Sequence, residues 1–581
     1  MATLIERRAR GELSTGVAAA AAADVVRVEG LSQELPLGTE VRCEPSGEVL
    51  VLGWRRGFDC VCVATGGAAG AAAAVGDTVD FAGSVACVAA GAPLRGADVA
   101  PLAAVAAASD TGTADDLQAV INNPPDAESR RPIDTPLVTG VKAVDMLLPL
   151  GEGQSVLVAG APGSGLGAAA ACAAAAQAAA GVHVVVACCG AYEGAATSAE
   201  EWRARVRAAA GPSADAVDAN LTVVHSSPDA GAGERYLCAQ AACAVAEGSA
   251  AAGDSTLVVL DDAGALSGFW KAVSEVAPAE LNVQAKQEVQ EGDEEGAKAV
   301  EEMNSAMVQV AGMLVSKEAA ERRGIFSSLL QRAACLSEGA GGGEISLVAM
   351  ACEAGAAANA ASGREAAIVQ KQIEKVMAYE TITDEQKERM VAALREKLPQ
   401  DAAGGGDGAQ AQSFVSQEVS EEIKSISDGH VVLEGSPASD GAAFTVDLRG
   451  SLVRIGSRAA LPTTRAVASR MRLELVQTLD ELEYSASGSE EENLDEGLKA
   501  RRARLLAAVE AMHQNELAAG VDRQALVLWA IDRGLLDGVA TDDSFSFAVA
   551  DAAADAAARA APEAAAELAA EGAVDDEAAA G

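Results

Sequence analysis

Aromatic side chains are scarce in this chain of 581 residues: four Trp, four Tyr and eight Phe make up only 3% of it. Hydrophobic residues nevertheless reach 50%, and much of that share is alanine, which favours helix and buries little area per residue. The cores are therefore expected to be helix-rich and closely approached. Basic residues are also in deficit, 43 against 85 acidic ones, for a net charge of −42. Such a polyanion is repelled by nucleic acid and by anionic membranes, so neither is an expected partner, whereas a neutral or basic protein is. Long apolar runs are missing as well. Val17 to Ala23 and Ala168 to Ala180 are too short or too weakly apolar to span a bilayer, so a soluble protein without a membrane span is expected. The four histidines, His183, His225, His430 and His513, have no partner spacing. The 11 cysteines fall at no metal or redox spacing: Cys60 and Cys62 are a strand-like pair, and Cys188 and Cys189 are adjacent. They read as free thiols of a reducing compartment, and no metal site is expected.

What is present divides the chain, which is long enough for two to four domains. Residues 1–23 read as an N-terminal helical segment. From Asp24 to about Asp98, short alternating runs such as Val25-Val-Arg-Val28 and Val49-Leu-Val-Leu52 are punctuated by glycine turns, which predicts a small antiparallel β-barrel. From about residue 99 to 463, apolar strands alternate with helices, the pattern of an α/β layer. The central strands are expected at Ser155–Ala159, His183–Ala187, Leu221–His225, Thr256–Leu260 and Glu344–Met350. Two polar tracts interrupt this region. One, at about 278–303, is dense in Glu, Gln and Lys. The other, at about 353–413, holds helix candidates at Ile368–Tyr379 and Asp384–Leu398 and ends in a glycine-rich linker. The second tract reads as an inserted helical hairpin, either a solvated decoration or a docking surface for a further protein partner. Residues 464–550 read as mostly helical, with an amphipathic helix at Gln524–Leu536. The alanine-rich acidic tail 551–581 reads as solvated or frayed helix.

The chain is organised around Ser155-Val-Leu-Val-Ala159, followed by Gly160-Ala-Pro-Gly-Ser-Gly-Leu-Gly167 and an alanine run. A buried strand, a glycine loop and a helix start form the layout of a phosphate-binding P-loop, which requires Gly, four residues, then Gly-Lys-Ser/Thr. Gly160 and Gly165 keep that spacing, with Gly163 between them, but Leu166 and Gly167 stand where the lysine and hydroxyl belong. Those two groups meet the β- and γ-phosphates and the Mg²⁺. Without them, ATP or ADP binding is expected to be weak or absent, with no hydrolysis. The glycines then read either as a residual nest of backbone amides or as a vestigial turn. Thr256-Leu-Val-Val-Leu-Asp261-Asp262 has the form of a Walker B strand, whose carboxylate holds the metal's water shell. Asp261 equally reads as a helix cap or a solvated acid.

The order of parts resembles the α subunit of F-type ATP synthase, and the resemblance is spread over most of the chain. It begins with Leu4-Ile-Glu-Arg-Arg8 and Arg27-Val-Glu-Gly-Leu31. It continues with Pro136-Leu-Val-Thr-Gly-Val-Lys-Ala-Val-Asp145, Leu148-Pro-Leu-Gly-Glu-Gly-Gln154 and Ser328-Leu-Leu-Gln-Arg-Ala-Ala334. Ile426-Ser-Asp-Gly-His430, Ser451-Leu-Val-Arg-Ile-Gly-Ser457, Thr464-Arg-Ala466 and Met471-Arg-Leu-Glu-Leu475 complete it. The resemblance implies a β-barrel crown, a RecA-like nucleotide domain and a helical C-terminal domain, alternating with β-type subunits in a hetero-oligomer around a rotating shaft. It also implies a site that holds nucleotide without hydrolysing it, and an arginine finger offered in trans, which matches Arg454. That arginine reads equally as an interfacial salt-bridge partner.

Three places depart from the family: the P-loop, the run Gly190-Ala-Tyr-Glu193 where the family has glycine-glutamine-lysine-arginine, and Ala486-Ser-Gly-Ser-Glu490 in place of its adenine-contacting turn. The expectation is thus a non-catalytic α-like subunit, a pseudo-ATPase, paired with a β-type subunit. The alternative is an ATPase-derived scaffold in a larger complex with no ATPase coupling. Glu6 and Glu12 are unlike an acid-poor transit peptide. A cytoplasmic or cytoskeletal setting is therefore expected, or a mitochondrial one if the sequence is that of a processed form.

Overall fold

The structure, a computed structural model, describes residues 2–65, 73–89, 94–99, 117–190, 192, 195–227, 229–276, 307–310, 313–353, 415–435, 443–454, 458–465, 471–477, 505–535 and 546–571. The tract expected at 278–303, the tract at 353–413 beyond Glu353, Gly456 and Ser457 of the arginine turn, and Ala486 to Glu490 lie outside the described residues.

After a short helix, Ala2–Ala9 (α1), six strands close into a barrel. They are β1 (Gly16–Ala22), β2 (Val25–Glu29), β3 (Thr39–Glu44), β4 (Val49–Arg56), β5 (Asp59–Ala64) and β6 (Thr78–Val85), arranged β1-β2-β5-β4-β3-β6. Pairing of Gly16 and Val17 with Val79 and Thr78 closes the ring. Val26, Val28, Val41, Leu50, Leu52, Cys60, Cys62, Val79 and Phe81 fill the interior, one side of the period-two alternation that predicted the barrel. The barrel begins at Gly16, earlier than expected. The alanine run after Val17 has high helix propensity, but it is the strand that completes the ring, and edge pairing on both sides outweighs propensity.

The central layer is a mostly parallel sheet. Its strands are β7 (Ser155–Gly160), β8 (His183–Cys188), β9 (Leu221–His225), β10 (Ser255–Leu260), β11 (Glu344–Cys352), β12 (Gly429–Glu434) and β13 (Thr445–Val453), in the order β13-β12-β7-β11-β10-β8-β9. Asp98–Val99 adds a parallel edge beside β9, and β13 runs antiparallel to β12. The five expected central strands are all present and are buried on both faces, which is why they read as unbroken apolar runs.

Alternate residues feed two cores. Leu157, Val185, Val258, Leu260 and Leu347 face helices α4 (Ala232–Ala251), α5 (Gly264–Glu275), α6 (Lys317–Leu330) and α7 (Gln417–Ile426) on one side. Val156, Val158, Val184, Val186 and Val259 face α2 (Leu166–Ala179), α3 (Ala199–Ala210) and the C-terminal helices on the other. The barrel docks on the first side. The Asp24 carboxylate accepts the backbone N–H of Glu234 in the first turn of α4 at 2.7 Å, where a negative charge meets the positive end of the helix.

The C-terminal helices α8 (Val521–Asp532), α9 (Phe547–Ala560) and α10 (Pro562–Glu571) cover the second core. The residues expected from 551 as solvated tail continue α9 through the proposed break. Ala554, Ala565 and Leu568 are buried, and Asp555 pairs with Arg523 of α8 at 2.7 and 2.8 Å. Composition suggested solvation, but alanine at helical spacing lets backbones approach closely enough to pack.

The run Thr139-Gly-Val-Lys-Ala-Val-Asp145 is where this covering layer is bolted down. Asp145, fully buried, accepts from the Thr139 hydroxyl at 2.6 Å, from the N–H groups of Thr139 and Gly140, and from Gln524 of α8 at 2.9 Å. Gln514 donates to the Gly140 carbonyl and accepts from the Lys142 N–H. The Lys142 ammonium, with no solvent exposure, reaches Asp551 of α9 at 2.8 Å.

Candidate functional site

The loop between β7 and α2 carries the turn that the glycine spacing predicts. Gly163 and Gly165 have φ of +79° and +86°, and Gly165 is the N-cap of α2. At Gly165 both conformation and space require glycine: a Cβ there would stand 2.6 Å from the Phe444 Cβ and 2.8 Å from the Ala443 carbonyl. Gly160 ends β7 in parallel register with Cys352 and Leu433. Leu166, where a lysine would project, is 4% exposed and packs into the second core.

A cavity of about 670 Å³ opens over this turn, lined by Gly163, Ser164, Gly165 and Gly167 of the loop, with Tyr192, Cys352, Ala443, Glu516 and, from α3, Glu201 and Arg205. Gly160, Asp261 and Arg454 are not among the lining residues. Tyr192 is buried in the wall, and burial pushes its phenol well above the ordinary range.

Asp261 lies at the end of β10 with no solvent exposure. One carboxylate oxygen accepts the Cys189 N–H at 2.9 Å, and the other accepts the Trp202 indole N–H at 3.3 Å. Burial drives its carboxyl up to about 6, against the hydrogen bonds from Cys189 and Trp202. Both oxygens are thus engaged by the fold, which ties β10 to β8 and α3. Among the described residues, no group of three or more His, Cys, Asp or Glu is placed to hold a metal ion.

Arg454 lies elsewhere. It follows β13, where Val453 pairs with Gly429 at the start of β12, beside the start of β7. The loop leaves the other end of β7, about five residues away, or ~17 Å along a strand. Arg454 is exposed, and its guanidinium donates to the carbonyls of Ser425 at 3.2 Å and Lys424 at 3.4 Å. These carbonyls close α7, the negative end of its dipole. The chain's own loop and its candidate finger therefore do not form one site.

His183 is fully buried between the hydroxyls of Ser249 and Thr222, each at 2.8 Å, and burial holds its imidazole down to about 4. All 11 cysteines are free. Burial raises the thiol of Cys43 to about 11 and that of Cys172 to about 12, which keeps these two protonated. Sequence reasoning missed Arg205 and Glu201, because no motif marks a residue that reaches the loop from a neighbouring helix. The sole signal was a basic residue spaced four after an acid on α3.

No described helix is long and apolar enough to cross a membrane. Residues 140–290 match the family model of the ATP synthase alpha/beta family, nucleotide-binding domain. The chain is 24% identical over 428 residues to the ATP synthase subunit alpha of Pediococcus pentosaceus, which covers 73% of this chain and 64% of that protein. It is 23% identical over 476 residues to the ATP synthase subunit alpha of Lactobacillus delbrueckii subsp. bulgaricus, covering 81% of this chain and 74% of that protein. A third match, to the ATP synthase subunit alpha of Lactococcus lactis subsp. cremoris, reaches 30% identity over 157 residues, 26% of this chain and 31% of that protein. Residues 140–290 thus match that family's nucleotide-binding domain, and the chain, with a six-stranded closed barrel, a mostly parallel sheet and C-terminal helices in that order, is similar to ATP synthase α subunits over most of its length.

Proposed function

We propose that this chain is a non-catalytic, α-like subunit that pairs with a β-type ATPase subunit in an alternating hetero-oligomer, serving as scaffold and offering Arg454 as an arginine finger in trans. The observation that carries the reading is the separation of two features. The loop keeps its backbone turn while Leu166 is turned into the core and Gly167 has no hydroxyl. Asp261, in the position of the Walker B acid, has both oxygens occupied by the fold. A site so altered cannot assemble the lysine, hydroxyl and metal on which phosphoryl transfer depends.

Arg454, by contrast, is exposed at the opposite end of β7, and its guanidinium is oriented by two backbone carbonyls. A finger acts in the neighbour's site and needs no nucleotide in its own subunit. The test has two arms. The isolated chain is expected to hydrolyse no ATP, and measurable turnover that is lost in Asp261→Asn would overturn the pseudo-ATPase reading. In a reconstituted complex with a β-type subunit, Arg454→Ala is expected to lower turnover by about a hundredfold or more. Unchanged turnover would leave Arg454 an interfacial residue only.

A further inference from the structure

The arginine that faces the loop is out of place for a structural ion pair. Arg205 projects from α3 so that one guanidinium nitrogen, Nη1, lies 2.8 Å from where a Cβ on Gly167 would stand. Gly167 is in the first turn of α2, the positive end of a helix dipole, which attracts anions and disfavours a cation. Among the described residues the partner of Arg205 is Glu201, one turn away on its own helix at 2.5 Å through Nη2, which leaves Nη1 directed at the loop. The Ser164 hydroxyl, in the same cavity wall, is 1% exposed and has no hydrogen-bond partner among the described residues. A cavity of about 670 Å³, lined also by Glu201 and Glu516, thus brings a helix N-terminus, a guanidinium and an unpartnered hydroxyl to one wall, the groups an anion would take.

We propose that this cavity is a metal-independent phosphate site in which Arg205, arriving from α3, supplies the cation that Leu166 does not. The glycine at 167 is part of the device. A Cβ there would stand 2.8 Å from Nη1, so glycine at 167 lets the guanidinium lie against the first turn of α2. Asp261 supports the absence of a metal requirement, because its oxygens are committed to Cys189 and Trp202. The ligand class is a phosphate or diphosphate group, either free or at the end of a nucleotide, held by backbone N–H groups, Nη1 of Arg205 and the Ser164 hydroxyl. Glu201 is a positioning residue that fixes the guanidinium through Nη2. The proposal does not rest on pairing with a β-type subunit, and it holds or fails separately.

The experiment is calorimetric titration of the full chain in EDTA with inorganic pyrophosphate and, separately, with ADP. Pyrophosphate is expected to bind without divalent metal. Arg205→Gln is expected to weaken it by about ten- to a hundredfold, the value of one or two charge-assisted hydrogen bonds. Gly167→Ala, which displaces the guanidinium but keeps it in the chain, is expected to weaken it also, and Arg205→Lys should retain part of the affinity. ADP at least tenfold tighter than pyrophosphate identifies a nucleotide as the source, and equal affinities identify free phosphates. No binding of either at millimolar concentration, binding only with Mg²⁺, or binding indifferent to both Arg205→Gln and Gly167→Ala overturns the proposal. Circular dichroism of each variant separates a lost site from a lost fold.

Discussion

Replacing Asp551 by Ala removes the partner of an ammonium that has no access to water. Lys142 is fully buried, its charge is met by Asp551 at 2.8 Å, and the Phe547 ring lies 5.4 Å from its nitrogen. Burial lowers its pKa, and Asp551 works against that shift. Removing one member of a buried pair costs about 3–5 kcal/mol. An independent ceiling comes from titration, since the lysine can escape by losing its proton. From an ordinary value of 10.5, that costs about 5 kcal/mol at pH 7, at ~1.4 kcal/mol per unit. At pH 9 the same escape costs only about 2 kcal/mol, so the penalty of Asp551→Ala should shrink as the pH rises.

The readout is amide hydrogen exchange within Phe547–Ala560, because a chain of several domains need not unfold as one unit. Protection of that helix should fall by about 3–5 kcal/mol at pH 7 in the variant. The double variant Lys142→Met/Asp551→Leu should recover most of it, since a buried ion pair replaced by packed apolar groups is close to neutral. Protection changed by less than about 1 kcal/mol at pH 7 would refute the reasoning, because it would place the pair in the range of exposed salt bridges.

Two further outcomes follow from the loop and its surroundings. Gly165→Ala, at φ +86° with a Cβ forced to 2.6 Å from Phe444, should lower stability in chemical denaturation by at least ~2 kcal/mol. Gly163→Ala, at φ +79° with open space around it, should cost only about 1 kcal/mol, and equal costs would show that space is not the deciding factor. Asp261 has a folded-state pKa raised to about 6 from 3.8, so the folded state binds the extra proton between those values. Its contribution to stability is therefore highest below pH 4 and declines by about 3 kcal/mol as pH rises through 6. Trp202 emission should report this titration with a midpoint near 6, and the transition should vanish in Asp261→Asn. A Trp202 signal flat from pH 4 to 7 would contradict the contact.

The strands were legible because they are buried on both faces, so Val184-Val-Val186 and Leu257-Val-Val-Leu260 carry the apolar runs that a covered parallel sheet demands. The barrel was legible from alternation at Val25–Val28 and Val49–Leu52. Alanine obscured the rest. The run after Val17 is a barrel strand fixed by partners on both sides, and the helix holding Asp551 and Ala554 is a packed element whose acids pair with Lys142 and Arg523. In both cases small side chains gave no amphipathic signature strong enough to show which surface was covered. At the site, Leu166 and Gly167 were readable as absences. That Gly167 leaves room for a guanidinium was not, because Arg205 reaches the loop only through the packing of α3 against α2.

The central claim, an inert α-like subunit built to pair, is tested most directly by native mass spectrometry of the assembly isolated through this chain. A β-type subunit with an intact P-loop lysine is expected at equal stoichiometry. An assembly containing this chain in defined stoichiometry with other proteins, and no β-type subunit, would contradict it.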